Sequence, residues 1–174
     1  MEEVRRLRLV SLGAALLAML GIMMPMWAWA GKTASEFYQH LGAGARLYDA
    51  GQHDAAVREF KAAVALQPGD STAHLWLARA LGRKTETANA LVAALEVSHV
   101  RKEFELAVAL DPNNLEARSD LLEFYLEAPR LFGGGIEKAQ AQAEAIAKLD
   151  PAEGQRARTH IAEKERGRKA LAQQ

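Results

Sequence analysis

The chain has 174 residues, 22 of them Lys or Arg and 22 Asp or Glu, so its formal net charge is zero. That balance leaves no global field to draw it onto nucleic acid. The absence of cysteine removes disulfides, thiol catalysis, thiolate metal sites and lipid-anchored cysteine together.

The first thirty residues read as a separate object. Arg5, Arg6 and Arg8 precede an uncharged run from Leu9 to Ala30, which ends in Met26-Trp27-Ala28-Trp29-Ala30. A basic start, an apolar middle and a small-x-small ending at Ala28 and Ala30 predict a secretory signal peptide, cut between Ala30 and Gly31. Pro25 fits, because it would end the apolar helix shortly before the cut. The same run is long enough to cross a bilayer, so a retained N-terminal membrane anchor is the alternative. Arg5-Arg6 also suggests a twin-arginine signal, but Arg8 stands where a large apolar residue is expected. An exported domain without cysteine takes its stability from packing rather than cross-links.

Residues 31–174 are rich in alanine, the best helix former, and show no strict apolar alternation, so no strand is predicted. Three segments close on one ending: Val64-Ala65-Leu66-Gln67-Pro68, Val108-Ala109-Leu110-Asp111-Pro112 and Ile146-Ala147-Lys148-Leu149-Asp150-Pro151. Recurrence at this period signals stacked helical units. In the first unit, Ser35 is the expected N-cap of a helix over 36–50, and Gly51 the left-handed residue that ends it. A second helix follows over 53–66. In the second unit, Asp70-Ser71-Thr72 is a capping cluster, and His74, Leu77, Ala78 and Leu81 fall on one helical face. A loop is expected at Gly82–Thr87, then a long helix over 88–110. The third unit starts at Asn114-Leu115, with Leu121, Leu122 and Tyr125 facing inward. A long turn, Ala128–Gly135, leads into a helix bearing Ala139, Ala143 and Ile146. A last helix over about 155–171 is polar, as the end of an array must be.

Gly44, Ala56, Phe60, Ala63 and Pro68 stand at the signature positions of a tetratricopeptide repeat, and Phe104, Ala107 and Pro112 repeat the second half of that pattern. Residues 35–165 resemble that family. The resemblance implies an all-α fold: a right-handed stack of antiparallel helix pairs (a TPR-like α-solenoid) of about three repeats plus a capping helix. The match is imperfect. Pro68 to Pro112 and Pro112 to Pro151 both exceed the roughly 34 residues of a standard unit, which places insertions near 82–99 and 128–135. The third unit also lacks the usual aromatic.

The chemical candidates are thin. Gly133-Gly134-Gly135 lacks the Gly-Lys-Ser/Thr ending and the preceding strand of a phosphate loop, and reads as a flexible turn with Phe132 tucked onto the stack. His40 and His74 occupy equivalent places where the family has a buried tryptophan, and no Asp or Glu is placed to complete a metal tetrahedron. His53-Asp54 sits at a helix start, where Asp54 suits the helix dipole. Glu123 and Glu127, one turn apart, read as a solvated face. Trp76 is expected to pack against the inserted segment. The basic last helix, with Arg156, Arg158, Lys164, Arg166, Arg168 and Lys169, could touch anionic lipid or an acidic partner, but its apolar face is thin and it reads as a solubilising end.

No catalytic set, cofactor or metal site is therefore expected, and the chain is not read as an enzyme. The resemblance implies that a partner contacts a concave face lined by the first helices. It puts Tyr38, Leu41, Ala45 and Tyr48 there, then Thr72, Leu75, Arg79 and Arg83, then Glu116, Ser119 and Glu123. Of these, Tyr38, Tyr48, Arg79, Arg83, Glu116, Ser119 and Glu123 are the expected contacts. The family's lysine–asparagine clamp for a peptide C-terminus is absent, since Leu41 and Ala45 stand where it would begin. The expectation is a periplasmic or secreted, non-catalytic scaffold in a bacterial cell envelope that binds a protein or peptide. It touches no nucleic acid, and membrane only through an uncleaved leader. The alternative is an inner-membrane-anchored assembly or accessory factor for an envelope complex.

Overall fold

The computed structural model describes residues 26–87 and 89–173. The described residues form seven α-helices and no strand: α1 (Met26–Asp49), α2 (His53–Leu66), α3 (Ser71–Thr87), α4 (Ala90–Leu110), α5 (Leu115–Glu127), α6 (Ile136–Leu149) and α7 (Pro151–Leu171). A 3-10 turn, Arg130–Phe132, joins α5 to α6. The chain divides after Glu36, and Phe37–Gln174 form the compact unit that holds α1 from Phe37 onward and all of α2 to α7. No helix among the described residues is long and apolar enough to cross a membrane. Most of the expected leader lies outside them.

From α2 on, each helix packs against its neighbours in the chain, α3 touches α5 and α5 touches α7, while α1 meets α2 where Gly44 lies against Phe60. Short connectors make consecutive helices antiparallel. Sequence and structure agree on the punctuation. Gly51 is left-handed (φ 73°), and Gln52 N–H donates to Leu47 O at 2.9 Å, the bond of a Schellman cap. Asn114 caps α5 by accepting from Ala117 N–H at 2.9 Å. Asp150 alone joins α6 to α7. It ends the first helix and caps the second, accepting from the N–H groups of Ala152 and Glu153.

Close approach between partners is paid for with side-chain volume. Phe60 is fully buried and lies against Gly44, where an added Cβ would sit 2.6 Å from the ring. The second helix of the third pair, α6, carries no aromatic, and small residues take its place. Ala139 and Ala143 are buried, and Gly154 of α7 lies so close to Ala147 that a Cβ would come within 2.3 Å of that side chain. One core runs through the units, from Ala56 and Phe60 through Leu77, Phe104, Leu121 and Tyr125 to Ile146 and Ile161.

Four expectations about the elements are corrected. Ser35 is not an N-cap, because α1 already begins at Met26; Ala28, Ala30 and Ala34 favour helix and no proline intervenes. Gly82–Thr87 is helix, not loop. Arg83 pairs with Glu86, Lys84 with Asp54 of α2, and Thr85 Oγ1 donates to Gly82 O at 2.6 Å. Asn89 caps α4, which opens at Ala90 rather than at 88. The last helix opens at Pro151 rather than 155, since proline suits a first helical turn.

The 128–135 turn is tied down rather than loose. Gly135 N–H donates to Tyr125 O and Gly134 N–H to Pro129 O, while Lys138 Nζ donates to Gly133 O. Gly133 is left-handed (φ 91°). Gly134 is forced to be glycine by space, for a Cβ would fall 1.8 Å from the Ala128 carbonyl oxygen. Phe132 is half-buried. Tyr125 donates its hydroxyl to Glu105 at 2.9 Å, and Arg101 binds the same carboxylate. Burial, then the Glu105 bond, pushes the Tyr125 hydroxyl well above the usual phenol range.

These contacts set two expectations for stability. Gly134→Ala should cost about 2 kcal/mol and lower the melting temperature by roughly 5 °C, whereas Gly69→Ala, with open space around it, should leave it unchanged in a thermal scan by circular dichroism. Phe60→Ala should cost about 3–5 kcal/mol, read from urea unfolding; a loss near zero would show that the α1–α2 seam is not packed as described.

Candidate functional site

The first helices of the three units come together around one groove of about 490 Å³. α1 supplies Tyr48; α3 supplies Ala78, Arg79 and Arg83; α5 supplies Asp120, Glu123, Phe124 and Glu127. The spacing explains the convergence. Arg79 and Arg83 are one turn apart, and Glu116, Asp120, Glu123 and Glu127 recur at intervals of three and four along one stripe of α5. The floor is apolar: Val97, Val100 and Phe104 of α4 rise between the first helices. The end of the groove is built by both insertions, with Thr85 and Glu86 from the first and Ala128 and Pro129 from the second.

Each groove cation already has carboxylate partners. Arg79 Nη2 lies 2.8 Å from Glu116 Oε1, and its Nε donates to Asp120 Oδ2 at 2.5 Å. Its guanidinium also sits 4.9 Å from the centre of the Trp76 ring. Burial works to lower the Arg79 pKa, but the bonds to Asp120 and Glu116 outweigh it and raise it. Arg83 contacts both oxygens of Glu86 at 3.2 Å and donates from Nε to Tyr48 Oη at 3.4 Å. Those two bonds, Tyr48 first, raise its pKa. At the other end, Lys164 of α7 bonds Glu127 and lies 3.6 Å from Glu123. The Lys164 bond holds the Glu127 carboxyl below the usual range, against a smaller opposing effect of burial. His160 Nε2 is 2.7 Å from Glu123 Oε2.

The structure thus brings Tyr48, Arg79, Arg83 and Glu123 into one groove and joins Glu116 to it through Arg79. Ser119 lines a smaller neighbouring groove of about 230 Å³, with Leu122, Ile146, Arg156 and His160; Glu123 borders both. Tyr38 is 68% exposed and lines neither groove. Leu75 is 1% exposed, so it belongs to the core and not to a contact face. Trp76 packs differently from expectation. It stacks on Phe60 (centroids 5.8 Å apart) and meets Tyr48 edge-on at 5.5 Å, which ties α3 to the first unit rather than to the insertion.

Sequence reasoning missed Asp120, Phe124 and the α4 floor, and took Glu127 for a solvated face rather than a groove residue. The carboxylate stripe was there to be found in the spacing of α5. The floor was not, because Val97 and Val100 read simply as apolar positions of a long helix. It also missed the carboxylates beside the histidines. His40 Nδ1 lies 2.7 Å from Glu59. His74 Nδ1 lies 2.6 Å from Glu103, with its Nε2 3.0 Å from Pro68 O. At the same place in the third unit, Arg118 donates to Gln142 at 2.9 Å. These are clasps between paired helices. Among the described residues, no three His, Asp or Glu side chains converge as a metal site.

No protein-family model matches the sequence, and no curated protein matches it significantly. Solved structures do. A TPR domain of OM64 from Arabidopsis superposes with a TM-score of 0.59 at 16% identity, over 75% of this chain and 98% of that one. The first TPR domain of Spaghetti (RPAP3), bound to the HSP90 peptide SRMEEVD, gives 0.57 at 19% identity, over 79% and 97%. The second TPR domain of human RPAP3, in complex with the HSP70 peptide SGPTIEEVD, gives 0.58 at 15% identity, over 75% and 98%. With its helices paired in order and its small-for-large seams in place, the chain has the tetratricopeptide-repeat fold.

Proposed function

We propose that this protein is a non-catalytic scaffold of a bacterial cell envelope, and that it holds a protein or peptide partner in the groove between its first helices. The observation that carries the reading is the groove itself. Three successive units contribute to it, and both departures from a regular repeat wall its end. Insertions are where a repeat array adapts a common frame to a particular task. Two domains of the same fold are described as bound to peptides, which supports a peptide-sized occupant. The envelope location rests on the leader: three arginines, an uncharged run to Ala30 and two small residues before Gly31. The uncharged run also supports a second reading, in which the leader stays uncut and the array serves as an anchored assembly factor.

Site-specific photo-crosslinking in living cells tests the groove. Benzoylphenylalanine at Tyr48 or Arg83 should capture one discrete adduct, while the same group at Lys102, exposed and outside the groove lining, should not. Equal capture from all three positions would sink the groove reading. Mass spectrometry of the native N-terminus separates the two envelope readings. A chain starting at Gly31 is expected, and a chain retaining residues 1–30 would establish the anchor instead.

A further inference from the structure

We infer that the groove selects a basic, apolar-anchored segment, opposite in charge to the acidic peptides bound by the RPAP3 domains. This rests on the groove being the binding site. Four carboxylates line it (Glu86, Asp120, Glu123 and Glu127) against two guanidiniums, Arg79 and Arg83. Both guanidiniums are already committed. Arg79 is 18% exposed along its side chain and holds Glu116 and Asp120, and Arg83 holds Glu86. An incoming carboxylate would have to displace those partners, and it would meet Glu123 and Glu127 on the way. An incoming cation meets Glu123 and Glu127, whose partners are Lys164 and, on Glu123, His160.

The molecule carries an internal example of that chemistry. Lys164 of α7 places its ammonium between Glu123 and Glu127, both of which remain about half exposed (46% and 57%). Those carboxylates therefore accept an ammonium in this geometry, and a partner's lysine or arginine would compete with Lys164 for them. The floor adds the second requirement. Val97, Val100, Phe104 and Phe124 offer nothing to a polar side chain, but they favour burial of a Leu or Phe. A segment alternating cations with one or two large apolar residues satisfies both, and Pro129 and Glu86 bound its far end.

Three synthetic peptides of equal length test the charge class against the full chain held in a neutral detergent, by fluorescence anisotropy. One carries lysines around a Leu-Phe pair; in the second, glutamates replace the lysines; in the third, serines replace Leu and Phe. The first should bind most tightly, with each of the others weaker by about tenfold or more. The double variant Glu123→Lys/Glu127→Lys should lose binding of the first peptide by at least a comparable factor while keeping its helical circular dichroism. Lys164→Ala, which takes the ammonium from both carboxylates and leaves only His160 on Glu123, should tighten it. The inference is overturned if the glutamate peptide binds as well as the lysine peptide, or if the double variant binds the lysine peptide with unchanged affinity. If crosslinking from Tyr48 and Arg83 captures a partner while the lysine peptide does not bind, the charge class falls and the groove stands. If both fail, the groove itself is wrong.

Discussion

Everything in this array depends on how closely two paired helices can approach. Hydrophobic burial is non-directional and scales with area, so a helix pair gains most where one partner gives up volume and the other supplies it. Phe60 against Gly44 is that exchange in the first unit, and Gly154 against Ala147 is its counterpart at the other end, with the sizes reduced on both sides. Trp76 extends the same logic sideways, stacking on Phe60 and meeting Tyr48. It locks one unit to the next. Once these seams are set, the first helices stand at fixed spacing, and the groove between them is a by-product of their separation.

That frame was legible in the chain because its signals are local. Small residues, aromatics and prolines recur at matched intervals, and caps such as Asn114 and Gly51 mark ends that need no tertiary information. The errors fall where local signals are weak or contested. Gly82 looked like a helix stop, yet ion pairs from Arg83 and Lys84 and the Thr85 hydroxyl carry the helix past it. The N-terminal helix runs past Ser35 because Ala28, Ala30 and Ala34 favour helix and no proline interrupts it, in spite of Gly31. Of the expected contact residues, Tyr48, Arg79, Arg83 and Glu123 share the groove: helical spacing sets Arg79 beside Arg83, and the stacking of α1, α3 and α5 brings them to Tyr48 and Glu123. Tyr38 and Ser119 do not line it. Whether a first-helix residue faces the groove, the core or the neighbouring cleft turns on the pitch between units, which no single unit encodes.

The two insertions show how an otherwise regular array acquires an individual surface. The first adds turns to α3 and α4 rather than a loose excursion, and the second is a short turn held by the Gly134 and Gly135 amides and by Lys138. They are far apart in the chain, yet both border the same cavity. Rigid additions of this kind change the shape and charge of a cleft without asking the binding event to order a loop, a cost that flexible loops cannot avoid.

The polar clasps between partners have a further consequence. An alanine-lined seam cannot tell one helical turn from the next, since sliding a helix by a turn replaces one methyl with another. His40 with Glu59, His74 with Glu103 and Arg118 with Gln142 can tell, because a slipped helix would leave a half-buried acceptor facing nothing. The chain thus separates two duties: methyl groups hold the layers together, and three hydrogen-bonded rungs keep them in phase.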